Sequence, residues 1–176
     1  MTSDAIERLA RSADWSERAR AARLIARGKP GDKEEIVLRL LRDSGSAAVS
    51  ETMVAALLEA RREGAIRLIL RSLGHDGEAS QETGQTLLDG LLTSELDGIE
   101  VRASIVSVLQ DSDDPDELVG ALRAIAWLAP SGGFPAPPEA LAHVRELAND
   151  SDAKIREAAQ RAVTALASHW EQPDVG

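Results

Sequence analysis

Five carboxylates crowd seven residues of this chain: Asp111, Asp113, Asp114, Asp116 and Glu117. Paired carboxylates do general acid–base work when burial and neighbours separate their pKa values. Clustered ones can also hold a hard cation. The spacing here argues against both. Pro115 follows Asp114, and Glu117 stands three residues after it, which together mark a helix start. At such a start, acidic side chains cap free N–H groups and complement the helix dipole. An EF-hand loop needs glycine at its sixth position and glutamate at its twelfth, and the cluster has neither. His75, His143 and His169 stand far apart, without paired-ligand spacing. Cysteine is absent, which excludes disulfides, thiolate catalysis and cysteine-based zinc or iron–sulfur sites. Ser131-Gly132-Gly133 lies in a proline-rich stretch and reads as a linker, since no strand precedes it to make a phosphate loop. No nucleophile–base signature is visible. These residue types predict no enzyme, no metal and no cofactor.

Charge points instead to binding. The net charge is −10, unevenly distributed. Residues 1–42 carry 10 basic and 7 acidic side chains, whereas residues 75–120 carry 1 and 12, with Arg102 the only cation. Such a window repels phosphate backbones and attracts cationic partners. Arg20, Arg23 and Arg27 share one helical face, with Arg8 and Arg11 nearby in sequence. That cluster is a solvated face first and a nucleic-acid grip second, because the overall negative charge opposes phosphate binding.

The elements that position these groups come from a repeat. Leu9, Leu41, Leu73, Leu109 and Leu147 are spaced 32, 32, 36 and 38 residues apart. Each leads into a short Asp/Ser/Gly-type turn and then an Ala-rich run. A period in this range predicts a stack of helical hairpins. Five are expected: Asp4–Arg11 with Ser16–Arg27, Lys33–Arg42 with Ala47–Arg62, Gly64–Leu73 with Ala79–Leu92, Gly98–Gln110 with Pro115–Ala129, and Pro138–Ala148 with Ala153–Trp170. Asp4 with Glu7, Asp32 with Glu35 and Asp114 with Glu117 have capping-box spacing. Aliphatic residues dominate the 43% hydrophobic fraction, with one Phe, no Tyr and three Trp, which suits close helix packing. No segment alternates like a strand.

In the last helix Ile155, Ala159, Ala162, Leu166 and Trp170 form one apolar stripe, and Trp170 reads as a terminal staple. The run Val49–Ala60 is apolar on all sides, as expected of a helix buried between neighbours. Trp15, in the first turn, is expected to cover the exposed end of the first unit. On the run from Pro115, Leu118, Ala121, Leu122, Ile125 and Leu128 make the core stripe. At 100° per residue Trp127 lies opposite Leu118, on the side of Asp116, Gly120 and Arg123. Tryptophan and arginine dominate interface hot spots, so that side is a candidate anchor. The competing expectation packs Trp127 under the loop Pro130–Pro138, which contains Phe134.

The segment Asp150-Ser151-Asp152-Ala153-Lys154-Ile155-Arg156-Glu157-Ala158-Ala159 resembles HEAT-type repeats of the short bacterial variety. Asp113-Asp114-Pro115 with Leu118 and Ala121 is a second match. Asp97–Arg102 and Ser16–Ala26 are fragmentary ones. The third unit lacks the family's Val-Arg pair, and the fourth has Val119 in place of its arginine. The resemblance implies an all-α, right-handed α-solenoid of about five HEAT-like hairpins, in one domain over 1–170 with a fraying tail at 171–176. It also implies that the second helix of each hairpin lines a concave face, and that the partner is a protein.

Together these readings predict a non-catalytic module that binds a basic partner protein through Glu82, Asp89, Asp111, Asp113, Asp116, Arg123 and Trp127. A small acidic solenoid of this kind would suit an immunity-type inhibitor of a cationic toxin or enzyme. A scaffold or adaptor subunit of a larger assembly is the second reading. A DNA enzyme resembling the alkylation-repeat glycosylases is the third, and the charge map argues against it. The residues Met1–Arg11 lack an apolar stretch of signal-peptide type, and no run reaches the ~18 apolar residues of a membrane helix. A cytoplasmic location without membrane contact is therefore expected.

Overall fold

The structure is a computed structural model that describes residues 2–60, 64–75, Asp89, 98–131 and 138–170. Among these residues every regular element is helical and there is no strand. In chain order the α-helices are α1 (Ser3–Ala10), α2 (Trp15–Arg27), α3 (Glu34–Leu41), α4 (Ala47–Glu59), α5 (Ala65–Gly74), α6 (Gly98–Asp111), α7 (Pro115–Leu128), α8 (Pro138–Leu147) and α9 (Ala153–Trp170). Short 3-10 turns at Pro30–Lys33 and Ala129–Ser131 link them.

Capping residues explain the helix starts only in part. Asp114 accepts hydrogen bonds from the backbone N–H groups of Asp116 and Glu117 at 2.9 and 3.4 Å, with Pro115 at the first helical position. This is the expected start of α7. The Glu117 half of that capping box is absent, because the Asp114 N–H donates to Ser112 Oγ at 3.2 Å, and the other two expected boxes do not form either. Thr2, without a side-chain bond, precedes α1, which puts Asp4 in the first turn. Asp32 falls inside the 3-10 turn that begins at Pro30, so α3 starts after it. Asp14 caps α2, accepting from the Ser16 N–H at 2.8 Å. Asp152 caps α9 through Lys154 and Ile155. Gly64, at φ 78°, takes the left-handed turn that a side chain would resist, and α5 begins at Ala65.

Packing follows the apolar stripes. α1 lies on α2 and α3 on α4, while α2 lies on α4 and α7 on α9. Buried residues from Ala10 to Leu166 belong to one core cluster. Ile155, Ala159, Ala162 and Leu166 are buried as their spacing predicts. The side chain of Trp170 and the tail 171–176 lie outside the described residues, as does the expected helix Ala79–Leu92 apart from Asp89. On α4 the large side chains Val49, Met53, Val54, Leu57 and Leu58 are all buried, but Ala55 is exposed and Ala56 and Ala60 are half-buried. The expected burial of α4 on every side therefore stops at a strip of small residues.

Among the described helices the most extensive contact joins α5 to α7, elements of different hairpins. Two glycines make it possible. A Cβ on Gly74 would overlap the Asp116 carbonyl oxygen, and one on Gly120 would overlap the Leu70 carbonyl oxygen. Backbone thus rests on backbone at a crossing only glycine permits.

Candidate partner-binding surface

α7 and the turn before it carry most of the residues singled out for binding, and the structure divides them. Asp111, at the end of α6, is exposed and accepts a hydrogen bond from Ser107 Oγ at 3.1 Å. Asp113, in the turn between α6 and α7, is exposed. Asp89 is helical and exposed, and Glu82 lies outside the described residues. Trp127 keeps 43% of its surface exposed, while the loop residues 132–137, including Phe134, lie outside the described residues.

Asp116 and Arg123 are placed differently. The Asp116 carboxylate lies 3.1 Å from Nδ1 of His75, which follows α5. Arg123 donates from Nη1 to the Leu73 carbonyl, in the last turn of α5, at 2.7 Å. With Gly120 between them, these residues form the α5-facing side of α7. The side opposite the core stripe is packed on α5 at Gly120, with Asp116 and Arg123 half-buried there, and is open at Trp127. The physical reason is the glycine pair. It brings α5 close enough for its backbone and side chains to reach the polar groups of α7.

Arginines of α5 hold the remaining acids of the cluster. Arg67 Nη1 lies 2.8 Å from Glu117 Oε2, which also accepts from Ser112 Oγ at 2.7 Å. Arg71 Nε lies 3.0 Å from Asp114, and Arg71 Nη1 pairs with Glu34 of α3. Arg42 donates to the Arg71 carbonyl at 3.2 Å. Burial pushes the Arg42 guanidinium below its ordinary pKa, the Asp116 carboxylate pulls it back up, and the charge of Arg71 adds a further downward push. Two acids of residues 75–120, Asp114 and Glu117, are therefore paired in space with cations from outside that window. Among the described acids of that window, Asp111 and Asp113 are exposed with no cation paired to them.

Two further features escaped the sequence. Arg18 of α2 grips Asp43 with Nε and Nη2 at 2.6 and 3.1 Å, and donates from Nη1 to the Ser12 and Ala13 carbonyls at 2.9 Å each. Arg156 of α9 makes the same backward reach, to the Asp150 and Ser151 carbonyls at 2.7 and 3.3 Å. Each arginine stands four residues after its capping aspartate. In α7 that position is Leu118, one residue before the Val119 assigned to it by sequence spacing. In α4 it is Ser50, whose buried hydroxyl has no hydrogen-bond partner among the described residues. Aspartate and arginine four apart was the available signal, but only when anchored on the cap.

The second feature is an open groove of about 360 Å³ between α2 and α4, lined by Arg23, Arg27, Thr52, Ala55, Ala56 and Glu59. Arg20 and Arg23 are exposed and make no ion pair among the described residues. Trp15, at the first position of α2, is 53% exposed and lies on the surface of the first hairpin. Among the described residues no group of three or more potential metal-ligating side chains converges. No helix there is long and apolar enough to cross a membrane.

No family model matches this sequence, and no curated protein matches it. Solved structures do, and two of them are described as crystal structures of engineered proteins from the Northeast Structural Genomics Consortium. The first is 21% identical, with a TM-score of 0.38, over 93% of this chain and 80% of that one. The second is 19% identical, with a TM-score of 0.41, over 92% of this chain and 47% of that one.

Proposed function

We propose that this chain is a non-catalytic protein-binding module, a right-handed stack of HEAT-like hairpins that captures a basic partner protein. The observation that carries this reading is the division within the acidic cluster. Asp114, Asp116 and Glu117 are held by Arg71, His75 and Arg67, whereas Asp111 and Asp113 stand exposed with no cation paired to them among the described residues. Exposed carboxylates of one sign steer a cationic partner and set the salt dependence of its capture. Trp127 supplies an aromatic surface on the helix that follows. An immunity-type inhibitor of a cationic toxin or enzyme is the most specific form of this proposal.

The test is capture from native lysate at low and high salt with the intact chain and with an Asp111→Ala/Asp113→Ala variant. One basic protein, released by salt and lost with the variant, is the expected result. Partners that resist salt and ignore the variant would overturn the acidic-surface reading in favour of a scaffold subunit.

A further inference from the structure

The groove between α2 and α4 is a second surface, distinct from the acidic cluster and opposite to it in charge. One wall is cationic. Arg23 and Arg27 stand one helical turn apart on α2, and Arg20 continues the same face. The floor is small and partly apolar: Thr52, Ala55 and Ala56 of α4. Every large apolar side chain of α4 is buried elsewhere, so this helix exposes Glu51, Ala55 and Glu59, with Thr52 and Ala56 half-buried beside them. Glu59 closes the α4 side.

We propose that this groove docks an acidic amphipathic helix of a partner protein. Small floor residues let a helix approach closely, and a groove between two helices takes a third by its apolar stripe. A carboxylate of the incoming helix meets Arg23, whose guanidinium fork favours a paired carboxylate contact, with Arg27 adding positive charge one turn away. A lysine on its other flank meets Glu59. An apolar residue between them rests on Ala55 and Ala56. Nucleic acid fits less well. An alanine floor offers bases no stacking surface, whereas it lets an apolar stripe of a helix approach closely.

The probe is a capped peptide of about 18 residues, long enough to hold a helix in water. It carries Glu at i and i+4 beside a Leu/Ala stripe. A scrambled peptide of the same composition and a short single-stranded DNA are its competitors. Binding to the full chain is read by fluorescence anisotropy and by backbone amide shifts. The helical peptide should bind, shift amides of α2 and α4, and weaken about tenfold with Arg23→Glu, the scale of one hydrogen bond to a charged group. Ala55→Glu should weaken it comparably. Arg8→Glu, with the same charge change on exposed α1, should not. Should Arg23→Glu fail to fold by circular dichroism, Ala55→Glu carries the test. Equal binding of the scrambled peptide, tighter binding of DNA, equal loss with Arg8→Glu, or no binding would each overturn the proposal.

Discussion

At Gly120 a missing side chain sets the distance between two helices. Alanine normally improves a helix interior by about 1 kcal/mol over glycine. Here its Cβ would overlap the Leu70 carbonyl, and a carbonyl in a helix cannot turn aside. Gly120→Ala should therefore destabilise the protein by about 2–3 kcal/mol, the scale of core overpacking. Gly31→Ala is the control, because nothing lies within 4 Å of the added atom. It should leave the urea midpoint nearly unchanged or raise it slightly. Arg18 makes a similar point with charge. Its side chain and that of Asp43 are 13% and 10% exposed, so removing the arginine strands a mostly buried carboxylate. Arg18→Ala should cost about 3 kcal/mol. Arg156→Ala, which loses only contacts to carbonyls near the surface, should cost about 1 kcal/mol. Equal losses would show that the Asp43 pair adds nothing to the backbone contacts. Asp14 adds a pH dependence. Hydrogen bonds from the Ser16 backbone and side chain hold its carboxyl below the ordinary value, burial opposes them, and Arg18 adds a smaller pull downward. A folded pKa below the unfolded one means the stabilisation is complete above the unfolded value of about 3.9 and fades as pH falls through the folded one. The stability difference between the parent chain and Asp14→Ala should begin to shrink as the pH falls below about 4 and go on shrinking until the pH passes below the folded pKa.

Between helices, one-dimensional pattern and three-dimensional contact part company. Apolar periodicity and the turns after the marker leucines place all nine described helices, mostly within a residue or two. The α5–α7 crossing was invisible to the same method. Gly74 and Gly120 are 46 positions apart, and each looks locally like a weak point in a helix. Only a pair of glycines on facing helices has the meaning they share, and a single chain read along its length does not display that pairing. The same limit hides the contacts that Asp116 and Arg123 make within the chain. Their position opposite the core stripe of α7 was read correctly, but the occupant of that side is α5. This gives a separable prediction. Glu117→Ala removes the partner of Arg67 and an acceptor of Ser112, and should lower stability by about 1 kcal/mol. The double change Asp111→Ala/Asp113→Ala should shift stability by less than about 0.5 kcal/mol, as exposed surface sites do. Partner capture should respond in the opposite order, with the double change the more damaging.

Across the whole molecule, the crossing also bears on how the chain unfolds. Repeat stacks touch only their neighbours, so their stability is nearly a sum of local terms and their ends can unfold alone. In this chain a single core cluster runs from Ala10 to Leu166, and α7 is packed on both of its sides, by α5 and by α9. Arg71 adds a link from α7 through α5 to α3 by pairing with Asp114 and Glu34 together. Loss of either end should then strip support from the middle, and melting should be one cooperative step. At about 0.7 kcal/mol per residue the unfolding enthalpy near 60 °C should approach roughly 120 kcal/mol, with calorimetric and van't Hoff values in agreement. Far-ultraviolet circular dichroism and tryptophan fluorescence, with reporters near both ends and in α7, should trace the same curve. Gly120→Ala tests the cause. If the crossing couples the halves, that variant should broaden the transition or split it in two as well as lower its midpoint. A transition that only moves, with its width unchanged, would place the coupling in the aliphatic core and leave the glycine crossing a local contact.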